Sequence, residues 1–145
     1  MSRSALQDLA RMVVKQGVGI GLLTVQDQAL VFALAWAGLP RHVMTEPQVN
    51  EQLRAQLVAP LACLNTDHVE LRRWLVDAAW LHRDGFGREY RACSASQLPA
   101  AGAALAHELA AMDGAAWVAE QRAGHLASRQ ARRAQWQQQQ AGAAA

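Results

Sequence analysis

Thr66-Asp67-His68-Val69-Glu70-Leu71-Arg72-Arg73-Trp74-Leu75-Val76-Asp77-Ala78-Ala79-Trp80-Leu81-His82-Arg83-Asp84-Gly85-Phe86-Gly87-Arg88-Glu89-Tyr90-Arg91 reads as a capped helix running into a tight β-hairpin. Asp67 with Glu70 three residues on has capping-box spacing. Leu71, Trp74, Leu75, Ala78 and Ala79 then recur at helical spacing. Beyond Ala79 the pattern shortens to alternation around Gly85-Phe86-Gly87, which marks a turn. A helix followed by a hairpin is the second half of a winged helix-turn-helix. With Asp84 to Gly87 as the loop, Arg83 faces Arg88, His82 faces Glu89 and Leu81 faces Tyr90. Leu81 and Tyr90 then lie on the core side.

Upstream, Ser4 to Gln16 predicts an amphipathic helix with Ser4 and Gln7 in capping-box positions and a stripe of Leu6, Leu9, Ala10, Val13 and Val14. Gly17, Gly19 and Gly21 end it. They do not make a dinucleotide loop, because position 22 is Leu and no strand precedes them. Gln26 to Ala37 is apolar almost all round, as a central buried helix is. Val43-Met44 suits a short strand. Thr45 then caps a helix that tolerates Pro47 in its first turn, faces Val49, Leu53 and Leu57 inward, and ends at Pro60. Leu71, Leu75, Leu81 and Tyr90 are expected to share one core with Leu30, Leu34 and Leu53. Downstream, Pro99 to Met112 predicts a helix with Leu105, Leu109 and Met112 inward. A long Ala/Arg/Gln helix follows Asp113-Gly114 to about Gln139, and Gln137–Ala145 is low in complexity.

Three ordered blocks carry a family resemblance: Thr45-Glu46-Pro47-Gln48-Val49-Asn50-Glu51, Leu71-Arg72-Arg73-Trp74-Leu75-Val76-Asp77, and the hairpin Arg83 to Arg91. Together they resemble the 2087 family of bacterial domains of unknown function, closely from about Arg41 to Arg91 and more thinly up to Thr24. The resemblance implies a winged-helix-like domain that occurs alone or fused to helix-turn-helix regulators, hence a regulatory setting. It brings no catalytic residues. The chain departs from the family pattern in having Ala79 where Gly is common, and in a longer Leu57–Asn65 connection.

At 145 residues the chain is one domain with room for a core, and its net charge of +2 does not by itself point to nucleic acid. No secretory leader is visible, and the longest apolar run, Ala29 to Pro40, is too short to span a bilayer. Cys63 and Cys93 lack CxxC spacing, so a reducing cytoplasm is the expected setting. The five His residues show no metal-ligand spacing, and no nucleophile elbow or His-Glu-x-x-His motif occurs. The chain is expected to be non-enzymatic, with no metal, cofactor or membrane.

The expected fold is mainly α. Residues 1–23 form an amphipathic helix and Gly-rich connection, 24–94 a winged helix-turn-helix, and 95–145 a helical extension. Arg72, Arg73, Arg83, Arg88 and Arg91 are the candidate nucleic-acid contacts, with Arg83 and Arg88 opposed at the wing base so that an anion would relieve them. Against this, Arg73 has Glu70 and Asp77 within helical reach. Residues 24–94 hold seven Arg against eight acids, a net of −1, where DNA binding draws on surplus cations. Outward Val69 and Val76 suit a protein contact. The C-terminal helix sets Arg122, His125, Arg129, Arg132, Arg133 and Trp136 opposite an Ala face that suits a dimer seam. Two readings stay open: a regulator-type module binding DNA, and a protein-interaction or oligomerising adaptor.

Overall fold

Short polar residues set the helix starts. Ser4 accepts from the Gln7 N–H while the Gln7 side chain accepts from the Ser4 N–H, so the expected capping box opens α1 (Ala5–Val13). Thr24 caps α2 (Val25–Ala37) through the Asp27 N–H. Thr45 and Gln48 cap α3 (Glu46–Val58) reciprocally, with Pro47 in the first turn, where its missing N–H goes unneeded. Asp67 caps α4 (His68–Asp77), accepting from the Glu70 N–H at 2.7 Å. Only half of the expected box forms there, because the Glu70 carboxylate takes the Thr66 hydroxyl instead, at 3.0 Å. The structure, a computed structural model, describes residues 3–144; Met1, Ser2 and Ala145, which the expected terminal segments include, lie outside the described residues.

The chain is mainly helical with a small antiparallel sheet. After α1 and a 3-10 turn at Ile20–Leu22 come α2, β1 (Met44–Thr45), α3, α4, β2 (Leu81–Arg83), β3 (Glu89–Ala92), α5 (Ala103–Ala110) and α6 (Gly114–Ala144). The sheet order is β1-β3-β2. The core is built on α2, in which eight consecutive residues, Ala29 to Trp36, are buried. A helix so completely covered needs partners on every side, and α1 and α5 both pack on it. Contact with α5 is close: a Cβ on Gly102 would lie 2.7 Å from the Trp80 ring and 3.2 Å from the Ala29 carbonyl. Trp36 stands edge-on to Trp80, ring centroids 6.4 Å apart, and donates from Nε1 to the Cys93 carbonyl at 2.7 Å. Leu30, Leu34, Leu53, Leu71, Leu75, Leu81 and Tyr90 share this core, as their spacing predicts. Leu57 is only partly buried, and Met112, beyond the end of α5, is 36% exposed rather than inward.

The hairpin departs from its expected register. Leu81 pairs with Ala92, His82 with Arg91 and Arg83 with Tyr90, two residues away from the pairing of Arg83 with Arg88. The cause is Asp84. Its carboxylate accepts from the N–H groups of Arg88 at 2.8 Å and Glu89 at 3.2 Å, and its own N–H donates to the Glu89 carbonyl. Asp84 and Glu89 thus close a longer loop, with Gly87 at φ +68° supplying the left-handed residue. A slip of two preserves which face each residue occupies, so Leu81 and Tyr90 stay in the core. The opposed Arg83–Arg88 pair does not exist, and the anion clamp built on it falls with it.

Helix α4 ends on a left-handed residue. Ala79 has φ +66°, the Trp80 N–H donates to the Leu75 carbonyl, and the Ala79 N–H donates to that of Val76. These are the two bonds of a Schellman motif, whose left-handed position favours Gly because a Cβ there costs about 1 kcal/mol. This is the position at which Ala replaces the Gly expected from the family pattern.

The longer connection after α3 is stitched down. Val18 bridges Leu64, donating to the Cys63 carbonyl at 2.9 Å and accepting from the Asn65 N–H at 2.8 Å. Arg122 of α6 donates to the Val13 carbonyl at 2.9 Å, to Pro60 at 3.2 Å and to Ala59. Val118, 1% exposed, belongs to the core. From Leu126 to Ala143 every residue of α6 is exposed, and the helix continues past Gln139 to Ala144, a stretch rich in strong helix formers.

Relief of the left-handed Cβ predicts that Ala79→Gly raises unfolding stability by about 0.5–1 kcal/mol. A denaturant titration reads this as a higher midpoint at unchanged slope; a lower midpoint refutes the cap assignment. The two parts of α6 predict contrasting truncations. Ending the chain after Ser128 should leave the melting curve in place. Ending it after Asp113 removes Val118 and Arg122 and should cost about 3 kcal/mol or more.

Candidate functional site

The side of the molecule formed by α4 and the β2–β3 hairpin carries all five arginines singled out by sequence. Arg72 follows core residue Leu71, about 100° further round the helix, which aims it along the seam with α3 rather than outward. Its Nη1 donates to Asn50 Oδ1, lies 3.3 Å from Glu46 Oε1, and the guanidinium sits 5.4 Å from the centre of the Tyr90 ring. With its side chain 14% exposed, Arg72 is a structural tie and not the flanking contact expected of it. Glu46, Asn50, Arg72 and Tyr90 come from all three blocks of the family motif, so one cluster accounts for residues about 20 positions apart. Sequence reasoning missed it because helical spacing along α4 says nothing of a partner on α3. The signal that would have found it is the joint presence of Glu46, Asn50 and Arg72 in those blocks.

Arg73 and Arg83 do come together. They line a cleft of about 150 Å³ between α4 and the hairpin, floored by Val76, Asp77 and Tyr90 and backed by Arg72. Among the described residues the ion pairs are Arg3–Asp8 and Glu46–Arg72. The pairs expected of Arg73 with Glu70 and Asp77 therefore do not form, and Arg73, Arg83, Arg88 and Arg91 carry charge without a bonded carboxylate. Val69 and Val76 are half-buried rather than outward, which weakens the case for a protein contact through them.

Arg88 and Arg91 lie apart from that cleft. Arg88 is at the hairpin tip, 5.9 Å from the centre of the Phe86 ring, and Phe86 itself is 84% exposed. Arg91 stands opposite His82 on the exposed face of the sheet, at a hollow shared with Val43 and Glu89. The tip is held by Asp84. Desolvation pushes its carboxyl up, but the N–H groups of Arg88, Glu89, Phe86 and Gly87 together outweigh this and hold it below the usual carboxylate range. Cys63 and Cys93 are free and buried, and burial pushes both thiols up. Among the described residues no group of three or more His, Cys, Asp or Glu is placed to hold a metal ion. No helix among them is long and apolar enough to cross a membrane.

Residues 25–92 match the model of a family described as an uncharacterized protein conserved in bacteria (DUF2087). No curated protein and no solved structure matches the chain.

The division of labour among the arginines predicts different losses. Arg72→Ala should cost about 1–3 kcal/mol, with the Glu46 arm discounted because Glu46 is nearly half exposed. Arg73→Ala and Arg83→Ala should stay within about 0.5 kcal/mol of the parent. Equal losses at all three sites would show that Arg72 is no tie. For Asp84 the folded value is depressed, so its contribution is complete above the ordinary Asp value of about 3.9 and is lost as pH falls through the folded value. Amide exchange at Arg88 and Glu89 should accelerate over that acid window in the parent and not in Asp84→Asn.

Proposed function

From the match of residues 25–92 to that uncharacterized bacterial family, and from the places its motif residues take, we propose that the chain is a non-enzymatic winged-helix module that binds nucleic acid with α4 and the hairpin. The order α2-β1-α3-α4-β2-β3 with sheet order β1-β3-β2 supports the winged-helix reading: α3 and α4 form the helix pair and β2–β3 the wing. The observation that carries the binding reading is the cleft in which Arg73 and Arg83 converge with no bonded carboxylate. A phosphate there meets two free guanidinium groups, set against the one carboxylate of the cleft, Asp77. The near-neutral charge count keeps this contact weak, since the Glu46–Arg72 pair removes one charge of each sign and the loop N–H groups keep Asp84 ionised. Binding is expected to be weak and salt-sensitive, in the range of about 10⁻⁴–10⁻⁶ M for sequence-independent contacts at physiological salt. Arg88 and Arg91 extend the contact along the wing, and the reading includes a regulatory role, with the two free cysteines suiting a reducing cytoplasm.

The second reading, an interaction or oligomerising module, is favoured by one feature. Helix α6 runs clear of the core with Leu126 56% and Trp136 61% exposed and its Ala face open, which invites a protein partner or a second copy along the helix.

Titration of a labelled duplex at several salt concentrations tests the two. Arg73→Ala and Arg83→Ala should each weaken binding on all sequences alike and lower the salt slope by about one, while Arg72→Ala changes stability. If the parent shows no binding even at low salt, the nucleic-acid reading is refuted. Concentration-dependent sedimentation that vanishes when the chain stops after Ser128 would then establish the second.

A further inference from the structure

A groove of about 330 Å³ lies away from the α4–hairpin face, between the end of α1, the turn carrying Cys63 and one side of α6. That volume falls in the range of sites for small organic ligands, about 300–1,000 Å³. Its chemistry is one-sided. Lys15, Arg122, His125 and Arg129 line it, and no carboxylate does. Among the described residues none of these groups forms an ion pair. The nearest acidic candidate is the Cys63 thiol, which burial pushes up so that it stays protonated and provides no counter-charge.

Two further features distinguish the groove from a solvated basic surface. Arg122 is fixed at its back, donating to the carbonyls of Val13, Ala59 and Pro60. Three of its five N–H donors are thus used, and the charge is held in place before any ligand arrives, which lowers the ordering cost of binding. The other wall is apolar: Val13, Val14 and Leu126 face the same space, and Leu126 is 56% exposed at the point where α6 leaves the core. An inorganic anion would leave this apolar wall wet, and a neutral apolar molecule would leave the cations without a counter-charge.

We propose that this groove binds a small organic anion, its carboxylate, sulfonate or phosphate held by Arg129, Lys15 and His125 before Arg122, and its apolar body lying on Val14 and Leu126. The site is separate from the α4–hairpin cleft and does not depend on nucleic-acid binding. Because the groove spans α1 and α6, a bound ligand adds a second bridge between them to the one that Arg122 makes with Val13.

The test uses the full chain and two probes of similar shape, 8-anilinonaphthalene-1-sulfonate and the uncharged N-phenyl-1-naphthylamine, followed by fluorescence. The sulfonate should bind saturably at one site and the neutral probe at least about tenfold more weakly. Arg129→Glu should weaken the sulfonate by about tenfold or more, and Leu126→Gln should weaken both probes by about threefold or more. Arg133→Glu, outside the groove lining on the same helix, should change neither by more than about twofold. Leu126 and Arg129 are both exposed, so these variants keep the fold, checked by parallel melting. Hexanoate should displace the sulfonate better than inorganic phosphate does. The proposal is overturned if no saturable sulfonate binding occurs, if both probes bind alike, or if Arg133→Glu acts as strongly as Arg129→Glu.

Discussion

The relation between α4 and the hairpin depends on one guanidinium. Arg72 reaches from the middle of α4 to Asn50 and Glu46 in the first turns of α3 and lies over the Tyr90 ring of β3. One side chain thus ties three elements whose Leu53, Leu71 and Tyr90 also share the core. The capped start of α3 suits this arrangement: Thr45 ends β1 and caps α3 at once, so Glu46 is delivered to Arg72 by the same residue that pairs with Glu89 in the sheet. A Lys at position 72 would keep the charge but not the flat guanidinium that lies over the Tyr90 ring. The cleft of Arg73 and Arg83 lies beside this tie, with Arg72 in its lining.

The core provides the second level of constraint. Eight buried residues in succession make α2 the axle of the molecule, and the Trp36–Trp80 contact with the Trp36 bond to the Cys93 carbonyl links it to the open end of the β2–β3 pair, where Cys93 and Trp80 are hydrogen-bonded. The position of the hairpin is thus determined from two sides, by Arg72 on its α4 flank and by Trp36 beneath it.

Much of this architecture was legible in the sequence, and the divide has a physical basis. Caps at Ser4, Thr45 and Asp67 act within three residues, so local spacing reveals them. The buried helix is announced by its own composition. The hairpin register was not legible, because it turns on whether Asp84 spends its carboxylate on Arg88 and Glu89, a choice that alternation cannot show. Its parity was legible, which is why Leu81 and Tyr90 were placed in the core while the Arg83–Arg88 pairing was not found. Among the candidate contacts, Arg73 and Arg83 converge as a shared face requires, whereas Arg72 is withdrawn by partners over 20 residues away. The groove between α1 and α6 joins segments about 110 residues apart, and a periodicity along either segment is blind to the other.

The span of the family match and the span of the core do not coincide. The match covers residues 25–92, yet α2, which lies within it, is roofed by α1 and α5, which lie outside it. Leu9, Met12 and Val13 on one side and Leu105 and Leu109 on the other complete the cluster to which Leu30 and Leu34 belong. A protein carrying the matched segment with different neighbours must furnish its own roof for α2, by other helices or by a companion chain. Grafting the segment elsewhere therefore calls for an apolar lid along with it.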